Sequence, residues 1–199
     1  MPDKVKTLSR ECVYAGYHQI YTLQLQHKQF AGGFGAPITR EAILRNDAVA
    51  VLPYDPVRDE IVLIEQFRIA PHVVGNHSWL VEAVAGCIGP GEMPEEVARR
   101  ECQEEMGRPV DRLEWIGRYF VSPGYTTERI TSYCGRVNAE GVEGNFGCED
   151  EGEDIRVFSV AADEALAWLE RGEISNSLTL IAMQWFALKR EWLRERWLA

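Results

Sequence analysis

Twenty-three residues, Gly86 to Arg108 (GCIGPGEMPEEVARRECQEEMGR), constrain this chain more than any other stretch. Pro94 is tolerated only in a first helical turn, and Gly107 followed closely by Pro109 is a stop, so a helix is predicted over 93–106. Helix residues three and four apart share a face, which points Glu101, Glu104 and Glu105 together. Like charges so close repel unless a cation sits among them. Mg2+ prefers carboxylate oxygens, retains waters and bridges to substrate phosphates. Gly86 permits a bend that brings the carbonyls of the preceding strand near the helix. An isolated Glu-Glu pair would be read as a solvated helix face.

The surrounding pattern is mixed. Between Tyr17 and His27 the residues Tyr17, Tyr21, Leu23 and Leu25 alternate with mostly polar neighbours, a half-exposed strand. Phe30 to Pro37 reads as a loop. Ala48–Leu52 and Ile61–Ile64 flank a turn at 55–59 and predict a hairpin. Strands are expected around 113–121, 129–137 and 155–160, and a short helix at 163–171 ending at Gly172. In the last helix Ile181, Trp185, Leu188 and Trp192 follow spacings of four, three and four, one apolar face. Strands mixed with helices imply an α+β sandwich.

Composition narrows the partners. With 46% hydrophobic and 26% charged residues the 199-residue chain is of ordinary globular type. A formal charge of -10 argues against a nucleic-acid backbone as partner, which calls for a basic footprint. No apolar run is long enough to span a bilayer, and the first residues lack the apolar stretch of a secretory signal. Five cysteines with no close pairing are read as buried free thiols of a reducing compartment, so a cytoplasmic location is expected.

The block at 86–108 closely resembles the Nudix box: Gly86, five residues, Glu92, seven residues, Arg100-Glu101, an apolar position at Cys102, Glu104-Glu105 and Gly107. Its one departure is Arg108, where the family carries a bulky apolar residue. Three further segments resemble the bacterial ADP-ribose pyrophosphatase subgroup. They are Leu63–Arg68, ending in Glu-Gln-x-Arg; the loop Ser122–Arg129, whose Pro123 falls about fifteen residues past the box; and the acidic run Glu149–Arg156. From about residue 40 the resemblance is nearly continuous.

It implies a Nudix fold, an α/β/α sandwich with a mixed β-sheet, over 46–199, and a small N-terminal β-element over 1–45 exchanged within a homodimer. It also implies roles. Glu101, Glu105 and Glu153, with the carbonyl of Ala85, would bind two or three Mg2+ ions, with Mn2+ able to substitute. Glu104 would be a ligand or an orienting neighbour. Arg100 would hold the glutamates through a buried ion pair, and Glu151 would be the general base. Arg68 would grip the phosphates. Glu128 would accept from the far ribose, within a loop that includes Ser122 and Gly124, and Arg40 would reach the nucleotide, in the partner subunit's site. The expected reaction is hydrolysis of ADP-ribose to AMP and ribose 5-phosphate. The alternatives are another nucleoside diphosphate sugar such as GDP-mannose, or a non-catalytic domain that senses ADP-ribose. The intact box weighs against the last.

Overall fold

The computed structural model describes residues 4–147 and 152–199. By contacts the chain divides into two units, 1–47 with 120–129, and 48–119 with 130–199. The first contains an antiparallel sheet of β1 (Val5–Ala15), β2 (Gln19–His27) and β3 (Ile38–Leu44) in the order β1-β2-β3. Strand β2 begins at Gln19, not Tyr17, and within the N-terminal β-element the residue pattern delimits neither β1 nor β3. The pairing of β1 with β2 shifts register between Thr7 and Ser9 and again between Cys12 and Tyr14. Such bulges erase the period-two pattern by which a strand is read.

The second unit is built on β4 (Ala48–Asp55) and β5 (Glu60–Phe67), the expected hairpin, followed by a short helix α1 (Ile69–Val73), then β6 (Trp79–Glu82), β7 (Val84–Cys87) and α2 (Pro94–Met106). β8 (Arg112–Phe120), β9 (Arg129–Arg136), β10 (Gly144–Phe146), β11 (Ile155–Ala161), α3 (Ala162–Arg171) and α4 (Ser177–Leu198) complete the chain. The sheet runs β10-β11-β5-β4-β9-β8, with β4 and β9 parallel. Every residue of β4 is buried. Val49, Val51, Val62 and Ile64 pack with Val97, Ala98, Cys102 and Met106 of α2. Leu52, Tyr54, Ile61 and Leu63 pack instead with α3 and α4. The two faces of one sheet therefore carry a helical layer each, an α/β/α sandwich with a mixed sheet.

Between β4 and β5 the sheet opens. They pair only at Tyr54–Ile61 and Asp55–Glu60; beyond that β4 pairs with β7 over Ala48–Val51, and β5 with β6 over Ile64–Phe67. Pro53, which has no N–H to give, stands at this fork, where neither β5 nor β7 is its partner. The segment 79–87 thus fills the opening. At its kink the Ala83 amide donates to the Thr179 hydroxyl oxygen at 2.9 Å, and Asn176 caps α4 by accepting from the Thr179 N–H and hydroxyl.

Two expectations need correction. The apolar stripe of α4 meets the core only in part: Trp185 packs against it half-buried, Leu188 is 83% and Trp192 40% exposed, and the fully buried face is Ala182, Met183, Phe186, Leu193 and Trp197. The helix is apolar on more than one side, and the sheet selects the stripe with the smaller residues near its start. Nor are the thiols uniformly buried: Cys102 and Cys134 are, but Cys12 and Cys87 are exposed, and Cys148 lies outside the described residues. No helix among the described residues is long and apolar enough to cross a membrane.

Candidate active site

α2 begins with Pro94 in its first turn and ends at Gly107 in the left-handed region, φ 66°. Val97, Ala98, Cys102 and Met106 turn to the sheet, which carries Glu105 inward on the same face and leaves Glu101 at its edge. The Glu105 carboxylate accepts the Ala85 amide at 3.2 Å, tying α2 to β7. Glu101 lies so close to Gly86 that a Cβ there would overlap its carboxyl group. A glycine is therefore required by contact with the acid, not by an unusual backbone angle.

Arg100 organises the outer side. Its Nη1 lies 2.9 Å from Glu101 and 2.8 Å from Glu104, and its Nε 3.8 Å from Glu92. Glu92 in turn accepts the Gly89 amide at 2.6 Å, fastening the loop before the helix. The expected ion pair is present but half-exposed rather than buried, because Glu104 faces outward to solvent. Glu104 and Glu101 share Arg100 while Glu105 turns into the fold, so the three acids do not converge as one cluster. At Arg108 the guanidinium donates to the carbonyls of Glu140 and Gly141 at 2.9 and 3.1 Å, replacing apolar packing by hydrogen bonds to a loop.

The second acidic arm leaves β10 and returns in β11, paired from Phe146–Ile155. The backbone of Glu153 packs on Gly147, whose φ of 107° suits glycine. Glu149, Asp150 and Glu151 lie outside the described residues. Glu153 is half-buried, and its charge reaches Glu101, Glu105 and Arg68. Burial, reinforced by Glu101 and Glu153, pushes the Glu105 carboxyl up to about 8. Burial also raises Glu101 against the opposing effect of Arg100, with Glu104 and Glu153 adding to the rise. Arg68 is raised: burial alone would lower it, but Glu82, Glu105 and Glu153 outweigh that.

Among the described residues no three His, Cys, Asp or Glu side chains form a ready-made metal cage. What they offer is a pair of desolvated carboxylates, Glu101 held beside Arg100 and Glu105 turned into the fold. A divalent cation that keeps waters and takes further oxygens from a substrate fits that donor set.

Arg68, at the end of β5, is bound to Glu82 of β6 through Nε at 3.1 Å to each oxygen and through Nη2 at 2.6 Å. Glu82 is completely buried. Sequence reasoning did not single it out; a lone acid inside the apolar run Leu80–Ala85 was the available signal.

A family model described as NUDIX domain matches residues 44–178, more than half of the chain. The chain belongs to the Nudix family. Relatives that match nearly end to end include the ADP-ribose pyrophosphatase of Escherichia coli K12, 42% identical over 98% of this chain and 93% of that one. The ADP-ribose pyrophosphatase of Haemophilus influenzae is 37% identical over 97% and 90%. The GDP-mannose pyrophosphatase of Pectobacterium atrosepticum is 35% identical over 86% of each. A crystal structure of an ADP compounds hydrolase superposes with a TM-score of 0.73 over 97% of this chain and 96% of that one, at 22% identity, and so shares the fold.

In this Nudix chain the remaining predicted residues belong to the first unit. Glu128 lies 3.2 Å from Arg45 Nε in an ion pair. Arg40 is exposed on β3, its Nη1 donating to the Thr39 carbonyl at 2.8 Å. Ser122 accepts at its carbonyl from the amides of Tyr125 and Thr126, which curls the loop, and nothing crowds Gly124.

Proposed function

We propose that this Nudix chain hydrolyses the pyrophosphate bond of ADP-ribose to AMP and ribose 5-phosphate, with Mg2+ as its metal. The observation that carries the substrate is the 42% identity, over 98% of the chain, to a protein named for that activity. Relatives named for GDP-mannose are 30–35% identical over shorter spans. The chemistry is supported by the desolvated pair Glu101 and Glu105 beside the Ala85–Gly86 bend, with Glu153 and Arg68 within reach of their charge.

Two or three Mg2+ ions, when bound, would neutralise the phosphoryl oxygens and acidify water. Glu101, Glu105, Glu153 and the Ala85 carbonyl are assigned to hold them. Arg100 keeps Glu101 in place and Glu104 steadies Arg100. Arg68 offers its guanidinium to the bridging phosphates, an anion it suits better than a lysine would. Glu151 takes the proton of the attacking water. Glu128, with the loop at Ser122 and Gly124, serves the terminal ribose, and Arg40 serves the nucleotide from the partner of a cytoplasmic homodimer.

A phosphate-release screen tests the substrate. With Mg2+ present, kcat/KM for ADP-ribose is expected to exceed that for GDP-mannose by roughly tenfold or more, because polar groups built for one sugar are left unpaired by another. A screen won by GDP-mannose would replace the substrate and keep the chemistry. Absent turnover on every such compound would remove the hydrolase reading, and undiminished turnover without a divalent cation would remove the metal.

A further inference from the structure

We infer that Glu82 is a positioning residue: it presets the guanidinium of Arg68 so that its remaining edge faces the substrate's phosphates. β6 carries an anomaly. Leu80, Val81, Ala83 and Val84 surround an acid whose side chain is wholly inaccessible to solvent. Burying a carboxylate and its partner gives less stability than apolar residues of similar volume, so such a pair is poorly explained as a fold-stabilising device. The arrangement is also lopsided. Glu82 is 0% exposed at its side chain, whereas Arg68 is 41% exposed.

The bonds fix the orientation of the fork. Nε reaches both Glu82 oxygens and Nη2 reaches one, so two of the three guanidinium nitrogens face inward. Nη1 makes no bond to Glu82, and on a planar fork it lies on the side away from the carboxylate. Glu82 also accepts from the side-chain amide of Gln66, a buried residue of β5, at 3.4 Å. The Arg68 amide is held by the Ser78 carbonyl at 2.7 Å, so main chain and side chain are both anchored. The same segment, 79–87, carries Ala85 and Gly86, against which Glu105 and Glu101 lie. One inserted piece of sheet thus holds both the acidic pair and the carboxylate that aims the arginine. Holding a charged group by a second layer of bonds is a recurring way to fix binding geometry, and losing such a partner costs about 10- to 100-fold.

That Arg68 meets a phosphate rests on the proposed pyrophosphatase function; the hold of Glu82 on Arg68 does not. Calorimetry with inorganic pyrophosphate and Mg2+ separates the two, because it needs no turnover. Glu82→Gln keeps the shape and removes the charge, and is expected to weaken pyrophosphate binding about tenfold or more, as Arg68→Met does. In the Arg68→Met background, Glu82→Gln should add less than about twofold, since a residue acting through Arg68 has nothing left to act on. With ADP-ribose, Glu82→Gln should raise KM about tenfold and leave kcat within a few-fold, a split that a loosened fold would not produce. Wild-type affinity in Glu82→Gln, an independent loss in the double variant, or no pyrophosphate binding by the wild type would overturn the assignment. Should Glu82→Gln not fold, Arg68→Lys decides: a preset fork predicts a tenfold loss, and wild-type affinity in that variant would refute it. A wild type that binds pyrophosphate but leaves ADP-ribose intact would instead sink the substrate reading alone.

Discussion

The two units hold their strands in opposite ways. In the sandwich β4 is buried at every position and β5 at most of them. In the described residues 4–47 no residue is buried; β1 is exposed throughout and β2 half-covered. Hydrophobic burial, the main driving force of folding, is therefore concentrated in the unit that carries the acidic pair and Arg68. The geometry chemistry needs is built on rigid strands and one capped helix. The residues proposed for the ends of the substrate, Arg40 and Glu128, lie on a thinner sheet and a loop.

The contrast is broken most forcefully by changing the acidic pair. Glu105→Gln or Glu101→Gln should lower kcat by about 10²–10³, the usual loss when one preorganised electrostatic group is removed. Circular dichroism should remain native, because relieving repulsion on α2 does not weaken it. Gly86→Ala should match Glu101→Gln in activity, since the new Cβ displaces that carboxyl. Full Mg2+-dependent turnover in these variants would detach the chemistry from the sandwich.

Stability should divide in the same way. Leu63 is fully buried between the sheet and the α3–α4 layer, and Leu63→Ala should cost about 2–5 kcal/mol in urea unfolding. Leu25, half-buried on β2, should cost about 1 kcal/mol or less when truncated to Ala in dilute protein. Equal costs would mean that the N-terminal sheet has a cover not supplied by its own residues, as exchange in a homodimer would provide.

The same division sets what was legible in the sequence. β4, β5 and α2 were readable because burial imposes unbroken apolar runs and because Pro94 and Gly107 mark ends by their backbone chemistry. β1 was not, since its two register shifts break the alternation. In α4 two apolar stripes coexist, and only packing decides between Trp185–Leu188–Trp192 and Met183–Phe186–Leu193. Box spacing located Glu101, Glu104 and Glu105 but could not say that Glu104 turns outward to Arg100. Glu82 needed its partner Arg68, fourteen residues earlier and adjacent only once β5 and β6 pair.

pH should act on the sandwich through Glu105. The Glu105 carboxyl, pushed by burial up to about 8 from an ordinary 4.5, binds its proton more tightly in the native than in the unfolded chain. Between those values the native state holds more protons, so stability of the metal-free protein falls as pH rises through that window, by on the order of a few kcal/mol. The loss should begin near 4.5 and be complete above about 8. Glu105→Gln should flatten the curve, and Mg2+ should restore stability at the alkaline end by binding the ionised form. A metal-free melting temperature that rises from pH 5 to pH 8 would contradict the assignment.

The smallest expected effect lies in the other unit. Arg45 and Glu128 form an ion pair at 3.2 Å, both side chains partly exposed, so its contribution to stability should be about 1 kcal/mol at most. Arg68–Glu82 differs in kind: there the carboxylate is buried and the arginine emerges. Here Glu128 has the lower exposure of the two but still meets solvent, and it can change partners. If it serves the terminal ribose, Glu128→Gln should lower kcat/KM for ADP-ribose by roughly tenfold through lost hydrogen bonds to hydroxyls. Arg45→Met then tells whether the arginine aims the carboxylate or competes for it. An aiming role predicts a fall in kcat/KM parallel to that of Glu128→Gln, whereas competition predicts a modest rise, because a freed carboxylate accepts from the ribose without first leaving a cation. If both variants melt slightly lower and hydrolyse ADP-ribose at the wild-type rate, Glu128 works only as the partner of Arg45. Ribose recognition would then have to be sought elsewhere in the loop at 122–129.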